Sequence, residues 1–263
     1  MTDLLEHPEP VYSASPVGNA ATGAPGTPSL GRAPIGTASP VGMAAVAPEY
    51  VPWLELRAAA EMFESATKYK TAMSNRIKAG AALPTDTVIV LRETMRQHHN
   101  AARLHAVRTF RQVVPQSIRL WQATTIGIGE PGLARLLGHI GHPAWKWQHC
   151  RYDGELVLAE SSPRSFGELV AYVGLAPGRR RYKGMTYKEA MATGASERIG
   201  PILHSIADAA GVKKTASPYR PIYDDARTFY NSRESNIMKA HMRALRIVKR
   251  EILRDLWTAA QAS

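Results

Sequence analysis

Residues 124–140, TTIGIGEPGLARLLGHI, join two helical patterns through the turn Gly127-Ile128-Gly129. Glycine suits a tight turn between helices because it adopts positive φ and lets the backbone approach a neighbour closely. After the turn, apolar residues recur at intervals of three and four, as on the buried face of a helix. These residues are Leu133, Leu136, Leu137 and Ile140. The stretch therefore predicts a helix-hairpin-helix.

The predicted hairpin is a candidate phosphate site. Its turn and the start of its second helix leave backbone N–H groups without helical partners, and the helix dipole favours an anion there. The residues expected to bind nucleic acid here are Gly127, Ile128, Gly129, Gly132 and, through its side chain, Arg135. A purely structural turn is the alternative, because a short motif alone has low specificity.

Gly127, Gly129 and Gly132 also fit the pattern Gly-x-Gly-x-x-Gly, with Asp153 at a suitable distance downstream. A dinucleotide site needs a buried strand before the glycines and a second central strand before the acid. Here a helical pattern precedes the glycines, and residues 142–152, HPAWKWQHCRY, do not resemble a central strand. We therefore expect no dinucleotide, no other cofactor and no small-molecule substrate.

Four side chains with metal-binding atoms lie at the end of the hairpin and after it, but their spacing matches no common zinc site. They are His139, His142, His149 and Cys150. We expect no metal there, and the single cysteine excludes an intrachain disulfide. Residues 143–163 are the least periodic part of the folded region and predict a loop or a small β-hairpin.

Helical patterns extend over most of the chain after Pro52. Residues 53–79 and 85–114 predict two helices, separated by Gly80 and Pro84. Apolar residues at intervals of three and four mark the face of the second helix that we expect to be buried. They are Leu104, Val107, Phe110 and Val114.

Three later segments also predict helices. Ser165 and Glu168 form a Ser-x-x-Glu capping box at the start of one, and residues 197–210 form the next. The last helix combines an apolar stripe, expected to be buried, with cations that fall mostly on its other faces. We interpret these cations as a solvated surface; the alternative is a helix that faces DNA. The stripe consists of Met238, Met242, Leu245, Val248, Ile252 and Leu256. The cations are Lys239, Arg243, Arg246, Lys249, Arg250 and Arg254.

We predict a mainly α fold, in which a multi-helix domain containing the helix-hairpin-helix follows a disordered tail. Residues 1–48 hold eight Pro, six Gly and few large apolar residues, a composition that buries too little surface to offset the entropy of ordering. The predicted organisation is a tail over residues 1–50, a long helical segment over 51–115 and the helix-hairpin-helix domain over 116–263.

Charge is concentrated in the predicted folded region. Residues 1–50 contain one of the 33 basic and four of the 22 acidic residues, so residues 51–263 carry a formal net charge of +14. Such a surplus attracts polyanions. The chain has no run of 18 apolar residues and no secretory signal pattern, so we expect a cytoplasmic protein, associated with the nucleoid when bound to DNA, and no membrane partner.

A cluster of cations follows the turn Gly174–Gly178. A basic loop of this kind suits sequence-independent contacts to phosphates, and a solvated run of charges is the alternative. The cations are Arg179, Arg180, Arg181 and Lys183.

In these segments the chain resembles the C-terminal domain of the insertion-sequence transposases in which a RuvC-like nuclease domain precedes a helix-hairpin-helix domain, also called bridge-RNA recombinases. The similar segments are Ile126–Leu137, Leu169–Pro177, Ile199–Ala210, Pro218–Tyr223 and the last helix, with weaker similarity over Leu91–Val114. The resemblance implies DNA engagement of the transposase kind. We expect DNA, or structured RNA, as the partner, and self-association through the helical segments.

Two features of that family are missing from the sequence. The family carries metal-binding acids on buried strands ahead of its linking helix, where this chain holds the predicted tail and helices. Its nucleophilic serine follows the Gly-Leu-x-Pro turn, where residues 178–184 are GRRRYKG. Attack on a phosphodiester needs an activated nucleophile and usually a metal. We therefore predict DNA binding without catalysis and no catalytic residues; a divergent or split recombinase and a helical protein that binds a protein partner are the alternatives.

Overall fold

The computed structural model describes residues 51–79, 84–152, 155–179 and 184–262. The predicted mainly α fold is confirmed, since the regular structure of these residues is nine α-helices, one π-helical turn and one β-hairpin. The helices are α1 (Val51–Lys78), α2 (Thr85–Val113), α3 (Gln116–Thr124), α4 (Glu130–Ile140), α5 (Phe166–Tyr172), α6 (Tyr187–Ala192), α7 (Ile199–Asp208), α8 (Tyr219–Asn231) and α9 (Ile237–Gln261). The π-helical turn is Ala209–Lys213, and the strands are β1 (Trp145–Tyr152) and β2 (Glu155–Pro163). The predicted tail, Gly80 and Asp153 lie outside the described residues.

Helix α4 lies at the centre of the fold, where it packs against α1, α2 and α7. Its four predicted core residues are all buried, which confirms the helical pattern after the glycine turn. At Gly138 the backbone of α4 approaches α1 so closely that an added Cβ would lie 2.5 Å from the Cβ of Ala60 and 3.0 Å from the carbonyl oxygen of Leu56. Glycine at this position therefore sets the separation of α1 and α4.

Helix α2 buries only part of the face that its larger apolar residues predict. Leu104 is 58% exposed, so the prediction that it is buried is wrong, whereas Phe110 is fully buried as expected. The small residues Ala102 and Ala106 are buried, because α1 packs closely along this line of α2. Leu104 lies two residues from Ala102, about 200° around the helix, and therefore points away from α1.

The hydrophobic core is continuous from α1 to α9. It includes Phe63 of α1 and Phe110 of α2 together with Leu203 of α7 and Ile252 of α9. The predicted boundary between residues 115 and 116 therefore lies inside a shared core, where Pro115 is the N-cap of α3. In this structure the helical segment and the helix-hairpin-helix region pack as neighbours.

In α9 the predicted apolar stripe is buried only from Leu245 onward. Leu245, Val248, Ile252 and Leu256 are fully buried, as predicted. The expectation is wrong for the first two turns of the helix, where Met238 is 65% and Met242 is 43% exposed. These two methionines border an open groove instead of packing into the core.

The segment after α4 forms a β-hairpin that leads into a capped helix. Strands β1 and β2 pair antiparallel, so that of the two structures predicted for residues 143–163 the small hairpin is the one observed. The predicted capping box is present at the start of α5: the Ser165 hydroxyl accepts from the Glu168 amide, and the Glu168 carboxylate accepts from the Ser165 amide at 2.8 Å. None of the helices in the described part of the chain is long and apolar enough to cross a membrane.

Replacing Gly138 with alanine should destabilise the fold by about 1–2 kcal/mol, because overpacking of α1 against α4 outweighs the better helix propensity of alanine. Gly200→Ala in α7 is the matched control, since an added Cβ there meets no atom within 4 Å and should change stability by about 0–1 kcal/mol in the stabilising direction. Urea unfolding followed by circular dichroism measures both. Equal stability of Gly138→Ala and the wild type would contradict the close approach.

Candidate nucleic-acid interface

The predicted hairpin is formed by α3, the connecting turn and α4. Gly127 has φ +97°, and an added Cβ would lie 2.7 Å from the Cα of Ala210 in the π-helical turn. Any other residue would therefore be strained and would displace the neighbouring backbone. Packing alone requires glycine here, whether or not the turn binds a ligand.

Two of the predicted hairpin residues already use their amides within the protein. Ile128 is buried; its N–H donates to the carbonyl of Thr125 at 3.3 Å, and its carbonyl accepts from Nε2 of Gln122 at 2.8 Å. The N–H of Gly132 donates to the carbonyl of Gly129 at 3.1 Å. Ile128 and Gly132 thus hold the turn in shape, and their amides are not open to a phosphate.

Two other amides at the start of α4 are open. The N–H groups of Gly129 and Glu130 have no hydrogen-bond partner among the described residues. The Glu130 carboxylate lies at the same helix end and accepts two hydrogen bonds from Arg111, at 2.8 and 2.7 Å. These bonds from Arg111 lower the pKa of Glu130, so the carboxylate is charged at neutral pH. A phosphate at these amides would meet that negative charge.

Of the arginines predicted to contact nucleic acid, the two that the structure describes, Arg135 and Arg179, contact other parts of the protein. The guanidinium of Arg135 lies 3.6 Å from Glu64 of α1 and over the ring of Phe63, 5.5 Å from its centroid. Arg179 donates to the carbonyl of Thr193, at 3.0 Å, at the end of α6. Neither side chain is held at the hairpin turn. Arg180, Arg181 and Lys183 lie outside the described residues.

A larger basic surface lies along α9, in a groove of about 880 Å³ that we call the α9 groove. Its walls are α9, the first half of α7 and the turn that follows α5. The cations that line it are Lys239, Arg243, Arg246 and Lys249. The pattern within α9 predicts a solvated face for these cations, because only the tertiary structure places α7 and the turn after α5 opposite them.

Both arginines among these cations are fixed in position by contacts within the protein. Arg246 donates to the carbonyl of Leu175 at 2.6 Å, in the turn after α5. Arg243 pairs with Glu234 and lies over the ring of Tyr230, with 5.7 Å between the guanidinium carbon and the ring centroid. The positive charge of the groove is therefore preorganised, which reduces the entropy lost when an anion binds.

The other titratable groups of the α9 groove leave its charge positive. Burial, together with the nearby Lys249, lowers the pKa of His204, so the imidazole is neutral at pH 7. Glu197 is the acidic residue among the described residues that line the groove. Four cations and one carboxylate line the α9 groove, and Glu234 offsets the charge of Arg243, so the groove keeps a net positive charge.

Two of the histidines considered as metal ligands, His139 and His142, take part in core contacts. Nε2 of His139 lies 2.9 Å from the carboxylate of Glu64. Nδ1 of His142 accepts from the amide of Ala144, and its ring packs edge-on against Trp53. His149 and Cys150 lie on β1. Within the described residues, no three His, Cys, Asp or Glu side chains are grouped so that they could hold a metal ion.

Comparison with known proteins does not assign the chain to a family. No family model matches the sequence, and no curated protein matches it. The functional interpretation therefore depends on the α9 groove, the open amides of the hairpin and the charge of residues 51–263.

Stability should fall below about pH 6.5 because of His142. Burial, reinforced by the charge of Arg164, lowers the pKa of His142 to about 4 from its ordinary value of 6.5. Between these pH values the unfolded chain binds a proton that the folded chain does not, so the free energy of unfolding decreases as pH decreases. Between pH 6.5 and 4.5 this contribution should be about 1–2 kcal/mol.

Urea unfolding at pH 7.5, 5.5 and 4.5 measures this contribution. His142→Gln should lose about 1–2 kcal/mol less than the wild type over this range, because it removes the titrating group. The exposed His98 of α2 supplies the control, and His98→Gln should keep the pH dependence of the wild type. Identical pH dependence in the wild type and His142→Gln would show that His142 is not the cause.

Proposed function

We propose that this protein binds DNA through its backbone phosphates, in the manner that its resemblance to the C-terminal domain of insertion-sequence transposases implies, and that it has no catalysis of its own. The observation that carries this proposal is the row of cations in the α9 groove. The row consists of Lys239, Arg243, Arg246 and Lys249.

The spacing of these cations suits a nucleic-acid strand. They occur every three or four residues on one side of α9, so successive cations are about 4.5–6 Å apart along the helix axis. From Lys239 to Lys249 the row extends about 15 Å. One strand of duplex DNA carries a phosphate every 3.4 Å of axis, so this length can face about four phosphates.

The hairpin supports the same function through a second type of contact. The open amides of Gly129 and Glu130 lie at the start of α4, where the helix dipole favours an anion. The net charge of +14 on residues 51–263 attracts DNA at long range, and release of counterions on contact strengthens binding at low salt. Both effects are independent of base sequence, so we propose binding that recognises the backbone.

Removing two cations of the α9 groove should weaken DNA binding and reduce its salt dependence. For a Lys239→Ala, Arg243→Ala double variant and a 25-base-pair duplex, the slope of log K against log salt should decrease by up to about 1.8, because each phosphate contact contributes about 0.9. Fluorescence anisotropy between 50 and 300 mM salt gives the slope. An Arg92→Ala, Arg103→Ala variant removes the same charge from exposed positions of α2 and should keep nearly the full slope.

Failure of the wild-type protein to bind both duplex and single-stranded DNA at 50 mM salt, or binding that is indifferent to salt, would exclude the proposed function. An equal loss of slope in both double variants would place the phosphates outside the α9 groove.

Two substitutions of Glu130 distinguish the effect of its backbone N–H on DNA binding from the effect of its carboxylate. Glu130→Ala keeps the N–H and removes the negative charge, so DNA affinity should rise about twofold to fivefold. Glu130→Pro also removes the charge but lacks the N–H, and proline is well tolerated at the first position of a helix. Gly129, which precedes it, already has the extended backbone that a following proline favours.

If the hairpin amides bind phosphate, Glu130→Pro should bind DNA less tightly than Glu130→Ala by about threefold or more, the effect of one hydrogen bond to a charged group. Both variants lose the pair with Arg111, so that effect cancels in the comparison. Thermal melting checks that the two are equally folded. Equal affinities for Glu130→Ala and Glu130→Pro would remove the hairpin amides from the interface.

A further inference from the structure

The α9 groove has an apolar component that contacts with phosphates do not explain. Met238 is 65% and Met242 is 43% exposed, although both belong to the apolar stripe of α9. Across the groove lie Val173, Leu175 and Pro201. Large apolar side chains that meet in a concave surface commonly mark a binding site. The ligand of the α9 groove should therefore have an apolar part as well as negative charge.

Near the start of α9 an apolar residue and a cation form a pair that is repeated four residues later. Met238 precedes Lys239, and Met242 precedes Arg243, so the same apolar–cationic pair occurs four residues apart. Residues four apart lie one above the other on a helix. Each of these two turns thus presents one thioether beside one cation, about 6 Å from the next pair.

Duplex DNA does not match this alternation. Its bases are stacked inside the helix, so a groove that meets the outside of a duplex contacts mainly sugars and phosphates. A single strand exposes the faces of its bases beside each phosphate, and proteins that bind single strands combine cations along the backbone with apolar surfaces for the bases. The polarisable sulfur of methionine makes favourable contacts with aromatic rings.

We propose that the α9 groove binds single-stranded nucleic acid, with unstacked bases against Met238 and Met242 and with phosphates at Lys239 and Arg243. This inference rests on the nucleic-acid binding proposed above and names its substrate class at the α9 groove. The volume of about 880 Å³ lies within the range of pockets that bury small organic molecules, so the groove has room for bases as well as phosphates.

An acidic peptide is the other occupant to consider, because a methionine-lined groove can also receive a helix. Charge complementarity favours the nucleic acid. Four cations and one carboxylate, Glu197, are among the described lining residues. Arg246 is fixed by the carbonyl of Leu175 and Arg243 by Glu234, whose charge offsets one of the four cations, so a positive surplus remains. A nucleic-acid strand supplies one charge and one planar apolar group in every repeat, which is the pattern of the two pairs on α9.

Fluorescence anisotropy with three DNA probes tests the proposal on the full chain. The probes are a 12-nucleotide oligothymidine, a 12-unit abasic strand with the same phosphates, and a 12-base-pair duplex. Oligothymidine should bind at least about fivefold more tightly than the abasic strand, since each stacked base contributes about 1 kcal/mol or more. The abasic strand measures the contribution of charge alone.

A Met238→Ala, Met242→Ala variant removes the apolar contacts and leaves every cation in place. Its affinity for oligothymidine should decrease about fivefold or more, while its affinity for the abasic strand and for the duplex stays within twofold of the wild type. An Ile89→Ala, Val90→Ala variant is the matched control, because these two apolar residues are also exposed, at 58% and 63%, but lie on α2. It should bind all three probes like the wild type.

Equal binding of oligothymidine and the abasic strand, or an unchanged oligothymidine affinity in the methionine variant, would overturn the proposal. So would displacement of labelled oligothymidine by polyglutamate at the concentration of charge at which unlabelled oligothymidine displaces it. If duplex binding persists in any of these cases, only this inference fails. If no probe binds in a salt-dependent way, both this inference and the proposed function fail.

Discussion

The close packing of α4 and its preceding turn against two neighbours is the constraint on which the rest of the structure depends. At Gly138 the backbone of α4 lies against α1, and at Gly127 the turn lies against Ala210 of the π-helical turn. Neither position has space for a Cβ, and close-packed interiors adjust little to added volume. Both ends of α4 are thereby fixed, and α7, which packs on α4 and leads into the π-helical turn, is fixed with them.

The position of α7 creates the candidate site. One side of α7 packs on α4, while residues near its start, such as Pro201 and His204, line the α9 groove. The charges of the groove are compatible with a stable fold because they remain hydrated or are held by short contacts, as Arg246 is held by the carbonyl of Leu175. The same contacts that position α9 therefore also order part of the surface that we propose binds nucleic acid.

The candidate site was only partly predictable from the sequence. The glycine turn between α3 and α4 was evident from spacing, but four chemically similar positions have different roles: Gly127 is required by packing, Ile128 and Gly132 use their amides internally, and Gly129 is open. Spacing cannot separate them, because the difference depends on which part of the chain lies opposite. Arg135 illustrates the same limit, since its partner Glu64 lies 71 residues earlier in the chain.

Sequence alone determined most of the helices, though not α6 or α8, together with the capping box at Ser165 and the apolar face of α4, because these depend on periodicity and on hydrogen bonds between residues close along the chain. It also determined the positive charge of residues 51–263. Only the tertiary structure decided that Leu104 faces solvent, that Met238 and Met242 border a groove, and that the cations of α9 face other elements. Burial is a relation between segments distant in sequence, so a pattern within one helix shows which side is apolar but not how far along that side its neighbours reach.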